Sequence, residues 1–183
     1  EFAECLIGIK ESCDFLNYPV VSGNVSFYNG TNKKNIFPTP VIGGVGLIKK
    51  LSKPMNHYFK SEKSNILLIG KTFGHLEQSC FLKENFSIIE GIPPEINLVN
   101  ENNNGEIILK LINNGLIKSV HDVSSGGLLV ALSEMSIGTN FGIKIQKPKK
   151  LTNLTGYFFG EDQGRYVIEI DPSNLDKVVK LLN

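Results

Sequence analysis

The sequence has few cysteines, no long apolar run and no surplus of either charge, and each shortage excludes a class of protein. Its three cysteines, Cys5, Cys13 and Cys80, are odd in number and lack the close pairing of zinc sites or thiol–disulfide motifs, which suits a reduced cytoplasm. No apolar stretch approaches the roughly 20 residues needed to cross a bilayer, and the chain opens on a charged segment, unlike a signal peptide. Nineteen basic against 18 acidic side chains leave a net charge of +1, so no long-range field draws the chain to nucleic acid or to an acidic membrane. Any anionic ligand must therefore be held locally. A Walker glycine–lysine loop, a dinucleotide fingerprint and a nucleophile elbow are all missing. His57 and His75 have no Cys, His or Asp partner at metal-ligand spacing, which argues against a transition-metal site. The chain also lacks an initial Met, from which an excised or incomplete chain is expected.

What is present is a soluble, globular composition. The 183 residues are 41% apolar, enough for one ordinary domain or for a small domain joined to part of another. Phe2, Cys5, Leu6, Ile9, Cys13 and Leu16 recur at helical spacing, so residues 1 to 16 read as an amphipathic helix ended by Pro19. Residues 19 to 29 are β-branched and aromatic with a central glycine and read as an interrupted strand. A polar turn over 30 to 35 leads to a second, almost wholly apolar or small strand over 37 to 48.

Residues 51 to 64, rich in Lys and Ser, read as a connector between a first unit, 1 to 50, and a second, 65 to 183. Beyond it the pattern predicts a strand at 65–70, a short helix at 76–84, a longer helix with its core at 106–113 and a strand at 116–123. A helix at 125–135, strands at 141–145 and 166–170, and a last helix at 175–182 behind the cap candidate Ser173 complete the pattern. Alternating strands and helices without internal repeats indicate an α/β or α+β sandwich.

Four stretches combine a permissive backbone with small polar side chains. In Gly23-Asn24-Val25-Ser26 the glycine permits close approach to a phosphate, the Asn24 amide oxygen suits a hard cation such as Mg²⁺, and Ser26 can donate to a second phosphate. From spacing alone a glycine bulge between polar strand residues is the commoner explanation. The glycine-rich strand from Pro38 to Gly46 is the second stretch. In the third, His121-Asp122 precedes a Ser-Ser-Gly-Gly helix start that could bind an anion or be capped by its own serines. Strand neighbours point to opposite faces, so Asp122 is poorly placed to orient His121, and a structural role for the pair is favoured over catalysis. Gly126 and Gly127 are expected to allow close packing of elements. The fourth is Gly160 to Arg165, which carries the only arginine; its fork could clamp an anion, but a salt bridge closing a turn is its commoner fate. Cys80 lies in a mostly apolar segment and reads as core, not nucleophile.

Taken in order, Phe2 to Ile9, Pro19-Val-Val-Ser-Gly-Asn-Val-Ser-Phe-Tyr-Asn29 and Pro38-Thr-Pro-Val-Ile-Gly-Gly-Val-Gly-Leu-Ile48 resemble the second synthetase-like half of the formylglycinamide ribonucleotide amidotransferase family. His121-Asp-Val-Ser-Ser-Gly-Gly-Leu and Gly160 through Tyr166 extend the resemblance over nearly the whole chain. The resemblance implies an α+β chain: the end of a β-rich synthetase-type N-terminal domain, then an α/β sandwich C-terminal domain of the aminoimidazole ribonucleotide synthetase type, truncated at its end. It implies ATP contact at Gly23, Mg²⁺ at Asn24 and ribonucleotide substrate contact at Ser26. The family reaction joins formylglycinamide ribonucleotide, glutamine-derived ammonia and ATP to give formylglycinamidine ribonucleotide, ADP and phosphate. Its implied partners are a glutaminase subunit or domain, a small bridging subunit and the N-terminal half of the same protein; that half carries the family's catalytic histidine and acidic metal ligands. The piece alone is expected to be inactive. Where the family usually reads Gly-x-Thr-x-x-Glu-Leu-Gly-Gly-Ser-x-Tyr, this chain has Gly70-Lys-Thr-Phe-Gly-His75-Leu-Glu77-Gln78-Ser79-Cys-Phe81, so no ligand contact is carried onto residues 75 to 81. The alternatives are another ATP-dependent enzyme of the superfamily, such as selenophosphate synthetase or a thiamine-phosphate kinase, or a non-catalytic nucleotide-binding or assembly module.

Overall fold

A computed structural model of the chain describes residues 1–48, 55–146 and 152–182. The chain divides into two compact units, 1–52 and 53–183.

The first unit opens with helix α1, Phe2–Phe15, as its apolar spacing requires. Its C-cap amide, that of Leu16, bonds to the Ser12 carbonyl at 3.0 Å, and Asn17 turns the chain with a φ of 51°. Residues 19–29 and 37–48 run without ladder partners, so the two expected strands are absent as strands. A two-residue hairpin forms instead within the expected turn, β1 at Gly30–Thr31 against β2 at Lys34–Asn35. The correction has a plain cause: β-propensity states that a segment fits a pleated, half-buried surface, and these segments have no neighbouring edge to pair with. None of residues 1–48 is buried.

The second unit is built on a three-stranded antiparallel sheet of order β3 (Asn65–Ile69), β5 (Arg165–Ile170), β4 (Ile117–Val123). β5 lies in the centre, and five of its six residues are buried, as expected of a strand covered on both faces. One face packs on α4 (Gly127–Ser136) and α5 (Leu154–Phe159), through Leu128, Ala131, Leu132 and Met135 against Val123 and Val167. The other packs on α3 (Leu98–Asn113) and α6 (Leu175–Leu182), through Ile108, Leu111 and Val178 against Ile69, Ile117, Ile168 and Ile170. Each fully buried aliphatic side chain of this kind contributes about 2 kcal/mol. A register shift between Ile117 and Ser119 lets Ile117 enter the second cluster while Ser119 sits beside Glu169 on the other side.

Local chemistry sets the helix starts. Ser79 caps α2 (Cys80–Phe86) by accepting from the Leu82 amide at 3.3 Å, which places this helix four residues later than its apolar pattern suggests. Asn97 caps α3, and Asn153 caps α5, a helix the sequence reading missed. α6 is entered through a 3₁₀ turn, Pro172–Asn174, capped by Asp171 and not by Ser173. Residues 141–145, expected as a strand, form no ladder, although Phe141 and Ile143 pack against the α4 side of the core. Residues 49–54, which include the start of the expected connector, lie outside the described residues, while Phe59 is buried and its amide donates to the Met135 carbonyl at 3.0 Å.

Candidate functional sites

Gly23, Asn24 and Ser26 lie together on an extended, exposed segment of the first unit. A Cβ added to Gly23 would meet no atom within 4 Å, so nothing inside the unit requires glycine there. The segment is held at its C-terminal end: the Asn29 side chain donates to the Ser26 carbonyl at 3.2 Å, and Phe27 meets Phe2 edge-on at 5.7 Å. The polar side chains of Asn24 and Ser26 have no hydrogen-bond partner among the described residues. Each of them can both donate and accept, and they lie beside an unhindered backbone.

The stretch Gly160 to Arg165 proves to be a structural hub of the second unit. Asp162 is almost fully buried, and its carboxylate accepts three consecutive amides, Phe73 at 3.0 Å, Gly74 at 2.9 Å and His75 at 3.1 Å. Oε1 of Glu161 accepts the amides of Cys80 at 2.7 Å and Gly126 at 2.8 Å, tying the starts of α2 and α4 together. Arg165 is 1% exposed and donates to the carbonyls of Asp162 and Gly160 and to Thr72, with Asp162 Oδ2 at 3.8 Å. Burial lowers the Arg165 pKa from its ordinary value, with Asp162 opposing that shift. The arginine thus closes a turn instead of meeting a ligand. The main chain passes so closely here that glycine is required: Gly127 has a φ of 74°, and a Cβ on it would sit 2.7 Å from the Gly160 carbonyl oxygen. The Ser-Ser-Gly-Gly helix start is occupied by Glu161, not by its serines.

His121 is clamped between elements. Its Nε2 stands 3.2 Å from Glu134 Oε2 on α4, and the His57 ring lies 4.9 Å away, centroid to centroid. Asp122 Oδ1 comes within 3.3 Å of Nδ1 but without hydrogen-bond alignment, so Nδ1 is left unpartnered. That is the weak orienting geometry expected of strand neighbours. Residues 75 to 78 also act within the structure. His75 Nε2 lies 2.8 Å from the Ile92 carbonyl, Gln78 donates to the Gly91 carbonyl at 3.0 Å, and Glu77 accepts the Ile92 amide at 2.7 Å. Together these side chains grip the neighbouring loop at Gly91 and Ile92.

Among the described residues, the second unit offers a cleft and a groove. A cleft of about 310 Å³ is lined by Glu101, Asp122, Ser124, Glu161, Gln163 and Tyr166 among others. Burial raises the pKa of Glu101, and burial followed by the nearby Glu101 and Asp122 carboxylates raises that of Tyr166. A groove of about 770 Å³ runs between β3 and residues 140–146. Among the described residues no cluster of three His, Cys, Asp or Glu could hold a metal ion, and no helix is long and apolar enough to cross a membrane.

A central antiparallel sheet with helices on both faces, entered through glycine-tight crossings and buttressed by a buried acid–arginine hub, defines an α+β sandwich module. The chain belongs to the family described as AIR synthase related protein, C-terminal domain, which it matches over residues 65–183. It is 52% identical over 182 residues to phosphoribosylformylglycinamidine synthase subunit PurL of Pelagibacter ubique, covering 100% of this chain and 25% of that protein. In fold it is similar to PurL from Thermotoga maritima complexed with FGAR, with a TM-score of 0.57 and 16% identity over 70% of this chain and 23% of that one. For the same protein complexed with ATP the TM-score is 0.52 at 18% identity, covering 69% and 20%. The chain spans about a quarter of the length of the curated relatives it matches.

Proposed function

We propose that this chain is a quarter of a phosphoribosylformylglycinamidine synthase, the ligase that converts formylglycinamide ribonucleotide, glutamine-derived ammonia and ATP to formylglycinamidine ribonucleotide, ADP and phosphate. The observation that carries the reading is the 52% identity to the Pelagibacter ubique synthase subunit, which runs through both units of the chain. In this reading the 23–26 segment is one wall of a nucleotide site. Gly23 lets the main chain approach a phosphate, Ser26 donates to the ribonucleotide, and Asn24 offers one oxygen to Mg²⁺. The donor chemistry fits: a neutral amide oxygen suits a hard cation, and the exposed side chain makes no competing hydrogen bond among the described residues. A single oxygen is far from a full coordination shell, so Asn24 would hold Mg²⁺ only together with ligands from outside this segment. When bound, Mg²⁺ neutralises phosphate charge during transfer. The residues of this chain orient the nucleotide and hold it. A glutaminase subunit or domain supplies ammonia, a small bridging subunit joins the two, and the whole works in the cytoplasm.

The test uses the intact parent. Asn24→Ala is expected to lower kcat/KM for Mg-ATP by about 10- to 100-fold, a loss of about 1.4 to 3 kcal/mol, and to raise the Mg²⁺ concentration needed for half-maximal rate. Unchanged turnover together with unchanged Mg²⁺ dependence would remove Asn24 from the site. The isolated 183-residue chain, given ammonia, ATP and substrate, is expected to form no product.

A further inference from the structure

The loop Phe73-Gly74-His75 presents three successive amides to one point, and Gly74, with a φ of 78°, gives the backbone the concavity that converging N–H groups need. Such a nest is an anion site. Its occupant here is the chain's own carboxylate: Asp162 is 4% exposed and takes two amides on Oδ2 and one on Oδ1. Positive charge is supplied by Arg165, whose Nη1 stands 3.8 Å from Oδ2 while its hydrogen bonds go to Thr72 and to the carbonyls of Gly160 and Asp162. Three amides and a buried guanidinium around two carboxylate oxygens are what a free carboxylate would be given in a binding site. The next residue upstream, Glu161, serves a different purpose, its Oε1 joining the amides of two separate segments at Cys80 and Gly126.

We propose that Phe73–His75 is an oxyanion-binding nest occupied in cis by Asp162, with Arg165 as its counter-charge, and that its ligand class is the small monocarboxylate that matches that side chain. While Asp162 is in place the nest is closed, and the loop has no free amide at these positions for a nucleotide phosphate. A phosphate bound by the intact protein is then held by other groups. The inference does not depend on the function proposed above, because its readout is folding and anion binding, not turnover.

The experiment is chemical rescue of Asp162→Gly in the full chain, with sodium formate against sodium chloride at matched ionic strength. Loss of the side chain is expected to lower Tm. Formate, but not chloride, is expected to raise it again in a saturable way, by about 3 °C at tenfold excess over its dissociation constant. The amide resonances of residues 73 to 75 are expected to move with the same dissociation constant. Asp162→Asn, which fills the cavity, is expected to show no formate-specific gain. Equal effects of formate and chloride on Asp162→Gly, or an equal gain in Asp162→Asn, would overturn the proposal. Should Asp162→Gly fail to fold in buffer, refolding with formate alone supports it, and failure under both salts overturns it.

Discussion

At the scale of single residues, the second unit is held together by charges in places where charges are costly. β5 runs through the middle of the sheet and carries both Arg165 and Glu169, each essentially without solvent exposure. Leaving such groups unpaired would cost several kcal/mol, and neither is unpaired. Glu169 accepts the Lys60 amide at 2.8 Å, the Ser61 amide at 3.1 Å and the Ser119 hydroxyl at 3.0 Å, pinning residues 60–61 to the sheet centre. Glu169→Gln keeps the shape but turns an acceptor into a donor that faces another donor. It is expected to destabilise the chain by about 2–4 kcal/mol in urea unfolding. Hydrogen exchange at the Lys60 and Ser61 amides should accelerate at the same time. Ser119→Ala removes one donor and leaves the carboxylate its two amides, so its expected cost is smaller, about 1 kcal/mol. A loss for Glu169→Gln no larger than that of Ser119→Ala would show that the amide contacts carry no weight. Arg165 closing a turn was readable from sequence because its acidic partner is three residues away. The amide contacts of Asp162 reach back 87 to 89 residues, a separation at which residue type and spacing carry no signal.

At the scale of elements, what was legible is what local periodicity decides. α1, α3, α6 and the three sheet strands all lie where apolar spacing puts them, because each can bury or present one face whatever its neighbours do. The misreadings are the segments whose state depends on a partner or a cap. Residues 19–29 and 37–48 have strand composition but no edge beside them, and α5 is a six-residue helix nucleated by the Asn153 cap, with a glycine inside it that hides its pattern. Of the candidate site, the permissive Gly-Asn-Val-Ser run was visible from sequence, whereas its openness to solvent was not.

The entry to α6 makes a pH-dependent prediction at the same scale. Asp171 accepts from both the amide and the hydroxyl of Ser173 and pairs with Lys118 at 3.1 Å, and these bonds lower its pKa from 3.8 to about 2. A carboxyl depressed by folding stabilises the folded state only above its unfolded pKa, and that contribution fades as pH falls through the folded value. The stability difference between the wild-type chain and Asp171→Asn is therefore expected to be constant above about pH 5 and to vanish between pH 4 and pH 2. Ser173→Ala should move the Asp171 titration, followed by carboxyl NMR, back toward its ordinary value. A difference that persists unchanged at pH 2 would rule out the cap as its source.

At the scale of the whole molecule, the two units differ in kind. Every buried residue described belongs to 53–183, where two apolar clusters sandwich the sheet. Residues 1–48 leave Val21, Val41 and Leu47 more than nine-tenths exposed and bury nothing completely. Cooperative unfolding requires a core whose loss exposes much surface at once, and only the second unit has one. Residues 53–183 alone are thus expected to unfold in a single thermal transition within a few degrees of the full chain, and residues 1–52 alone to show no cooperative transition by circular dichroism. For a chain of this size about 1 kcal/mol shifts Tm by roughly 2–4 °C. A full-chain Tm more than about 5 °C above that of 53–183 would therefore mean that the first unit adds more than about 1 kcal/mol of stability, which its exposed apolar surface does not provide. In the proposed synthase the same surface has three times this chain's length of additional protein to pack against. The apolar residues of 18–48 should consequently gain hydrogen-exchange protection in the intact parent that they lack in this chain, and equal exchange in both would separate the ordering of that segment from the remainder of the parent.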